Sequence, residues 1–413
     1  MSTFRILAFL SSILVAAQLQ LAAAGSIKLI SFDDIAPAGQ RLGPFWHGVG
    51  MDRNKKLYVA IGNGDETRGG VGDVLIFEYD TRSGKKRFLN SVRQILKEAG
   101  NLGPNNDWPH EEGVAKVHSE IIEYNGKMYF STHDYHSSQN VEKHRGGHFV
   151  SYDPATGKFA DLSKSDPGGV AVANEGIIAI NILRQEQKLV GWTFPYGHVL
   201  LHDLRDGKTT KYGRGLMPGQ KSNVARVVIA TRKGDVFAAY SQGDAPNYLF
   251  KLDRKLGKLI PTTARFRKGF FEGLAESSDG NIIYLADLEG YLYAFHVESE
   301  TLNDLGSILP LERTGQDVRR LGSLVYSGAE QKLFTIPYRV TRGNGAYRLY
   351  EYDIKSRAKK EIADFSSVLK GSTLTGNGVL DEKGFMYVSF YSEAEAGRFH
   401  SGVVQIDVSD RTQ

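Results

Sequence analysis

Cysteine is absent from the 413 residues, so the chain holds no disulfide and no thiolate metal site. An exported chain without cysteine fits a bacterial protein better than an animal secreted one, where disulfides are common. Tryptophan is scarce at 3, methionine at 5 and proline at 12. Charge of one sign is also lacking: the formal net charge is only +4, and no lysine/arginine block interrupts the sequence. That balance argues against a nucleic-acid partner, while a mild basic excess suits an anionic small molecule or polysaccharide. Past the N-terminal leader no apolar run reaches spanning length, so no membrane segment is expected.

The leader itself, "MSTFRILAFLSSILVAAQLQLAAAG", has Arg5, an apolar run from Ile6 to Ala17 and small residues at Ala22 and Ala24. This pattern predicts a secretory signal over 1–24, cleaved after Ala24, and a secreted or periplasmic mature chain. Gln18 and Gln20 interrupt the run and make a membrane anchor the weaker reading.

What is plentiful is glycine, at 46, with 20 tyrosines and 21 phenylalanines, the mixture expected of strands joined by tight turns. One unit recurs: an apolar strand, a polar turn, an aromatic strand, then Y-D-x-x-[ST]-G-K or a variant. Copies include "LIFEYDTRSGKKRF", "FVSYDPATGKFADL", "LLHDLRDGKTTKY" and "LFKLDRKLGKL". Most units run about forty to fifty residues, the length of a four-stranded propeller blade. Innermost strands are placed near Trp46, Val117, Glu175, Ala225, Phe271, Arg320 and Gly376. The sequence therefore predicts an all-β, seven-bladed propeller over 25–413. Its final unit lacks a fourth strand, and the N-terminal "SIKLISFDD" is expected to supply one, which removes an open sheet edge. One insertion, about 91–113, carries Val92, Ile95 and Leu96 at helical spacing with Gly100 as a stop.

Aligned inner strands put His47, His118, Glu175, Arg226, Glu272, Arg320 and Asn377 at equivalent opening positions. All are polar where a plain repeat would favour apolar or small residues, so they mark a functional face at the channel. Eight of the 11 histidines lie between His110 and His202. Five of them, His118, His133, His136, His144 and His148, fall in the second unit. His118, His133 and His148 occupy strand ends on the cleft side, whereas His136 and His144 belong to a framing loop. In the third unit "FPYGHVLLHD" brings Tyr196 and His198 to the matching junction.

None of these histidines has a spacing diagnostic of a metal, and the favoured chemistry requires no catalytic metal; a structural ion is left open. Histidine and tyrosine with a nearby arginine suit proton transfer. β-Elimination in a uronic-acid polysaccharide needs these three types: a base for the C5 proton, an arginine to neutralise the carboxylate, and an acid for the departing oxygen. Glycoside hydrolysis would require paired carboxylates, and Glu175 and Glu272 sit two units apart. No G-x-S-x-G and no phosphate-cradling loop before a helix is present.

The segments "KVHSEIIEYNGKMYFSTH", "RGGHFVSYDPATGKFADL" and "LVGWTFPYGHVLLHDLRDGKTTKYGRG" resemble the core of seven-bladed propeller polysaccharide lyases. The ulvan lyases of polysaccharide lyase families 24 and 25 are the nearest, and the oligogalacturonate lyases are more distant. The resemblance covers the second to fourth units. It implies His118 as base or acid with His148 as its partner, Tyr196 as the other proton-transfer group, and Arg226 or Arg214 neutralising the uronate. His133, His47, His198, Glu175, Arg320 and Asn377 would then line the substrate site. A tyrosine is expected just before the proline, where this chain has Phe194; Tyr196 stands just after it. The late histidine pair that holds manganese in oligogalacturonate lyases has no counterpart, since only His296 and His400 occur late. The expected protein is a monomeric, exported lyase acting on an acidic polysaccharide. The alternative is a non-catalytic propeller that binds an anionic glycan or a protein partner.

Overall fold

The computed structural model describes residues 26–44, 46–63, 72–103, 116–133, 145–214, 225–239, 247–267, 271–287, 290–308, 319–320, 323–339, 347–395 and 398–409. Among them, seven four-stranded antiparallel sheets follow one another along the chain as propeller blades. Blade 1 contains Val49–Met51, Lys56–Gly62, Val74–Asp80 and Lys86–Ser91; blade 2 contains Ile122–Tyr124, Lys127–Ser131, Phe149–Asp153 and Lys158–Asp161. Blade 3 contains Gly176–Leu183, Lys188–Phe194, His198–Asp203 and Thr209–Arg214; blade 4 contains Val228–Ala230, Val236–Ala239, Asn247–Asp253 and Lys258–Phe266. Blade 5 contains Phe271–Glu276, Ile282–Asp287, Tyr291–His296 and Thr301–Ser307; blade 6 contains Val325–Ser327, Lys332–Thr335, Arg348–Asp353 and Lys359–Asp364.

Blade 7 has three strands of its own, Ser372–Leu380, Phe385–Glu395 and Arg398–Asp407. Its fourth is the N-terminal Ile27–Ser31, paired antiparallel with Ile27 opposite Ile406 and Ile30 opposite Val403. The expected closure by the N-terminal strand is thus present.

The repeated Y-D-x-x-[ST]-G-K turn has a direct physical cause. The carboxylates of Asp80, Asp153, Asp203, Asp253 and Asp353 each accept backbone N–H groups two or three residues on. In four of these turns the chain then passes through Gly84, Gly157, Gly207 or Gly257 at φ between +64° and +72°, which a Cβ would oppose.

The core is divided among the seams between blades. Tyr58, Val74 and Ile76 meet Phe130 and Val150 between blades 1 and 2. Trp192 and Val199 meet Val228 and Phe250 between blades 3 and 4. Phe32, Leu57 and Phe77 meet Tyr387 and Val403 between blades 1 and 7. Comparable clusters fill the other four seams, so the apolar packing runs continuously around the ring.

After blade 1 the insertion forms helix α1, Val92–Glu98, whose N-cap Ser91 accepts from the Gln94 N–H. Val92, Ile95 and Leu96 are buried against the seam of blades 1 and 2. Two ribbons lie beside the blades: Gly146–Gly147 with Val172–Ala173, and Arg319–Arg320 with Tyr338–Arg339. No helix among the described residues is long and apolar enough to cross a membrane.

Candidate functional site

Four blade openings converge on one cluster. Trp46 and His47 lead into blade 1, with His47 at φ +55° and Gly48 at φ +51° turning the chain into the first strand. His118 precedes the inner strand of blade 2, and His133 lies two residues past the end of that blade's second strand. Reciprocal backbone hydrogen bonds between Lys116 and His133, of 3.1 and 2.9 Å, fix His118 beside His133. Arg226 precedes the inner strand of blade 4, and Glu272 lies in the inner strand of blade 5.

The rings meet in series, the first pair stacked and the next two edge to face. His47 and His118 have centroids 5.4 Å apart, His118 and His133 5.6 Å, and His133 and Phe194 5.6 Å. Trp46 lies nearly parallel to His118 at 6.2 Å and edge-on to Tyr391 at 6.0 Å. The Arg226 guanidinium stands 5.5 Å from the Trp46 ring centre, and the Lys116 ammonium 5.7 Å. Trp46 therefore gathers two cations and an imidazole around one indole.

Burial governs the charge state. His47, His118 and His133 are all buried, and desolvation opposes a proton on the ring. Burial, then the positive charge of Arg226, pushes the His47 imidazole down to about 3. The same two causes, followed by His47, His133 and Lys116, hold His118 well below the ordinary histidine range. The His47 and His118 imidazoles are neutral at physiological pH. Among the described residues the buried His118 Nδ1 and His47 Nε2 have no hydrogen-bond partner.

Arg226 is similarly unspent. Its Nε lies 3.0 Å from Glu272 Oε1, with Glu272 fully buried and the arginine side chain 12% exposed. The N–H direction misses the oxygen, so the contact is an ion pair without an aligned hydrogen bond; Nε and Nη1 keep their donors. Buried donors left this way are costly unless a ligand takes them.

A second group lies at the opening of blade 3. Glu175 Oε1 is 2.7 Å from His198 Nδ1, and Glu175 Oε2 accepts from Thr193 Oγ1 at 2.6 Å. Thr193 Oγ1 in turn accepts the His198 N–H at 2.7 Å. The carboxylate thus holds the His198 ring by one nitrogen. Tyr196 lies half-buried in the turn between them, after the cis peptide Phe194–Pro195.

The third group occupies the channel. Glu120, two residues past His118, accepts from the Asn377 side-chain amide, and Asn377 Oδ1 accepts the Leu274 N–H at 3.1 Å. Blades 2, 7 and 5 are thereby linked across the channel. A small cavity there is lined by Glu120, Asn181, Leu274 and Arg226. Although part of Glu120 is open to the channel, protein surrounds it. That enclosure pushes its carboxyl up to about 7, against the opposing hydrogen bond from Asn377.

The sequence-derived ring is thus resolved into partners: His47 with His118, Arg226 with Glu272, Glu175 with His198, and Asn377 with Glu120. His148 stands fully buried inside blade 2, its Nδ1 3.3 Å from Asp161 Oδ1. Arg214 is in register with His198, and Arg320 pairs with Tyr338; both are described by backbone only. His110, His136 and His144 lie outside the described residues. Sequence reasoning passed over Trp46, Lys116 and Glu120. Trp46 adjoins His47, and Glu120 shares the strand side of His118 by the two-residue period, so both carried a usable signal.

Among the described residues no group of three or more histidine, aspartate or glutamate side chains is arranged to hold a metal ion. No family model and no curated protein matches the chain. Among solved structures, the Cps50 (Swd1) β-propeller domain of Myceliophteria thermophila aligns at 11% identity and a TM-score of 0.56, covering 93% of this chain and 100% of that one. A chain of the mitotic checkpoint complex aligns at 11% identity and a TM-score of 0.55, covering 94% and 92%. A protein from Lactobacillus plantarum aligns at 13% identity and a TM-score of 0.51, covering 86% and 96%. At such identities the likeness is one of fold alone: the chain is a seven-bladed β-propeller.

Proposed function

We propose that this propeller is an exported polysaccharide lyase that cleaves a uronic-acid polysaccharide, of which ulvan is the first candidate, by β-elimination. One observation carries the reading: a largely buried arginine with unspent donors stands beside imidazoles held neutral by burial and by that same arginine. Neutral imidazole is the proton-accepting form, and a guanidinium is what a uronate carboxylate requires.

In this reading Arg226 takes the substrate carboxylate and withdraws charge from C5. His118 accepts the C5 proton at Nδ1. The C5–H electron pair forms the C4–C5 double bond as the C4–O bond breaks, and Tyr196 gives its proton to the departing oxygen. Atoms and charge balance, and the product is an unsaturated uronate. His148, held by Asp161, would support the strand that carries His133 rather than meet substrate, since it is fully buried.

Incubating the protein with ulvan, pectate, alginate and glycosaminoglycans while following ultraviolet absorbance tests the reading. A rise that disappears in Arg226→Gln supports it; no rise with any of them sinks it. A second reading, glycan binding without turnover, gains from the near-complete burial of His118, which is 5% exposed. Replacing His118 by Ala and Tyr196 by Phe separates the two. Lost turnover with retained binding marks the lyase, and lost binding with no turnover in any form marks the module.

A further inference from the structure

Glu272 has no place in the proposed chemistry, yet it is fully buried against the one cation that does. A buried carboxylate must be paired or protonated, and Arg226 is a partner of this one. Oε1 meets Nε of Arg226 at 3.0 Å, while Arg226 Nη1 has no partner among the described residues. The opposite constraint comes from the face of the guanidinium, which stands 5.5 Å from the Trp46 ring centre. Edge and face are therefore fixed by different blades, Glu272 from blade 5 and Trp46 from the approach to blade 1. With both fixed, the Nη1 side of the planar fork is left to receive a carboxylate.

We infer that Glu272 is a positioning residue for a carboxylate-binding site at Arg226: it aims the free Nη1 edge at a single sugar carboxylate and competes with that carboxylate for the guanidinium charge. The inference rests on the reading of Arg226 as the uronate-binding group and adds what controls it. Competition matters because a guanidinium opposed by nothing would hold substrate and product carboxylates equally hard. An internal carboxylate weakens ground-state binding, leaving more of the attraction to develop as negative charge builds on the substrate in the transition state.

Charge and geometry are separable by two substitutions, with sodium glucuronate as the binding probe in calorimetry and ulvan as the turnover substrate. Glu272→Gln removes the competing charge, and glucuronate is expected to bind several-fold tighter while kcat falls at a lowered KM. Glu272→Asp keeps the charge and shortens the reach. Glucuronate affinity should then stay within about twofold while kcat drops about tenfold, the scale of a misaimed catalytic contact. A purely structural Glu272 would lower the melting temperature of both variants and leave glucuronate affinity and the KM-to-kcat split unchanged, which overturns the inference. If Glu272→Gln does not fold, the Asp variant decides alone on the same two readouts. Should the wild type turn over no polysaccharide, the lyase reading fails by itself. Tighter glucuronate binding in Glu272→Gln, abolished by adding Arg226→Gln, would still uphold the positioning role.

Discussion

Gly376 in blade 7 lies so close to His47 that a Cβ on the glycine would come within 2.4 Å of the His47 Cα. The glycine also adopts φ +73°, where a side chain is strained whatever the space. The last blade therefore sets the backbone from which the His47 ring projects. Gly376→Ala is expected to destabilise the protein by about 3 kcal/mol, since clash and strain coincide. Thermal unfolding measures the loss, and a melting temperature equal to wild type would contradict the close approach.

Arg226 is expected to act on its neighbours as well as on substrate. Arg226→Gln should lower kcat by about 100- to 1000-fold, the usual cost of a preorganised charge-stabilising donor. It also removes the second-largest cause of the depression at His47 and His118. Both imidazoles should then titrate at higher pH, which histidine NMR would show as an upward move and an unchanged titration would refute.

Stability should depend on pH with two opposing contributions. His47 and His118 bind a proton more readily unfolded than folded, so each contributes stability that is lost as pH falls through and below about 6.5. Glu120, raised from 4.5 to about 7, does the reverse: its protonated folded form favours folding at low pH, and that contribution is lost as pH rises through about 7. Two histidines outweigh one glutamate below about 6.5, so stability should rise toward that pH and then fall slightly. Glu120→Gln should flatten the decline near pH 7 and steepen the loss between about pH 6.5 and 4.5, where Glu120 had opposed the two histidines. Denaturant titrations across pH 4 to 8 measure both limbs.

His148 and Asp161 make a different prediction. Asp161 accepts the Ser163 N–H at 3.0 Å and the side-chain amide of Asn101, just past α1, besides facing His148. Asn101 also donates to the Gly169 carbonyl at 2.8 Å. Asp161→Asn keeps the shape but offers a donor where Asn101 already donates. A loss of about 2 kcal/mol is expected from the buried groups left unmatched. Increased proteolysis near α1 would locate the damage, and an unchanged unfolding midpoint would count against the network.

The repeat made the architecture legible. Strand alternation, the Asp-capped turn and the missing fourth strand of the last unit are all local patterns, and each has a counterpart in the structure. His47, His118, Glu175 and Arg226 do precede the inner strands of blades 1 to 4, but Arg320 falls in the ribbon with Tyr338, ahead of the inner strand Val325–Ser327, and Asn377 lies within Ser372–Leu380. Partner choice was not legible. That Glu175 turns to His198 while Glu272 turns to Arg226 depends on side-chain reach across a seam, which no spacing encodes. His148 illustrates the limit further. Its position at a strand start suggested the cleft, but the side chain is fully buried with Asp161, itself held by Asn101, against the ring.

The pairing of Ile27–Ser31 with Arg398–Asp407 makes the first of the described strands a component of the last blade. During synthesis that strand must wait, unpaired, until nearly all the remaining residues have been made, and six blades can assemble around a gap before it finds its partner. Among the described residues the closing contact has the greatest sequence separation, which slows ring closure far more than it weakens the closed ring, because loop entropy grows only with the logarithm of length. Until then the exposed edge of Arg398–Asp407 is a template for any other extended segment, so the interval before closure is when this protein is most exposed to mispairing with its own copies.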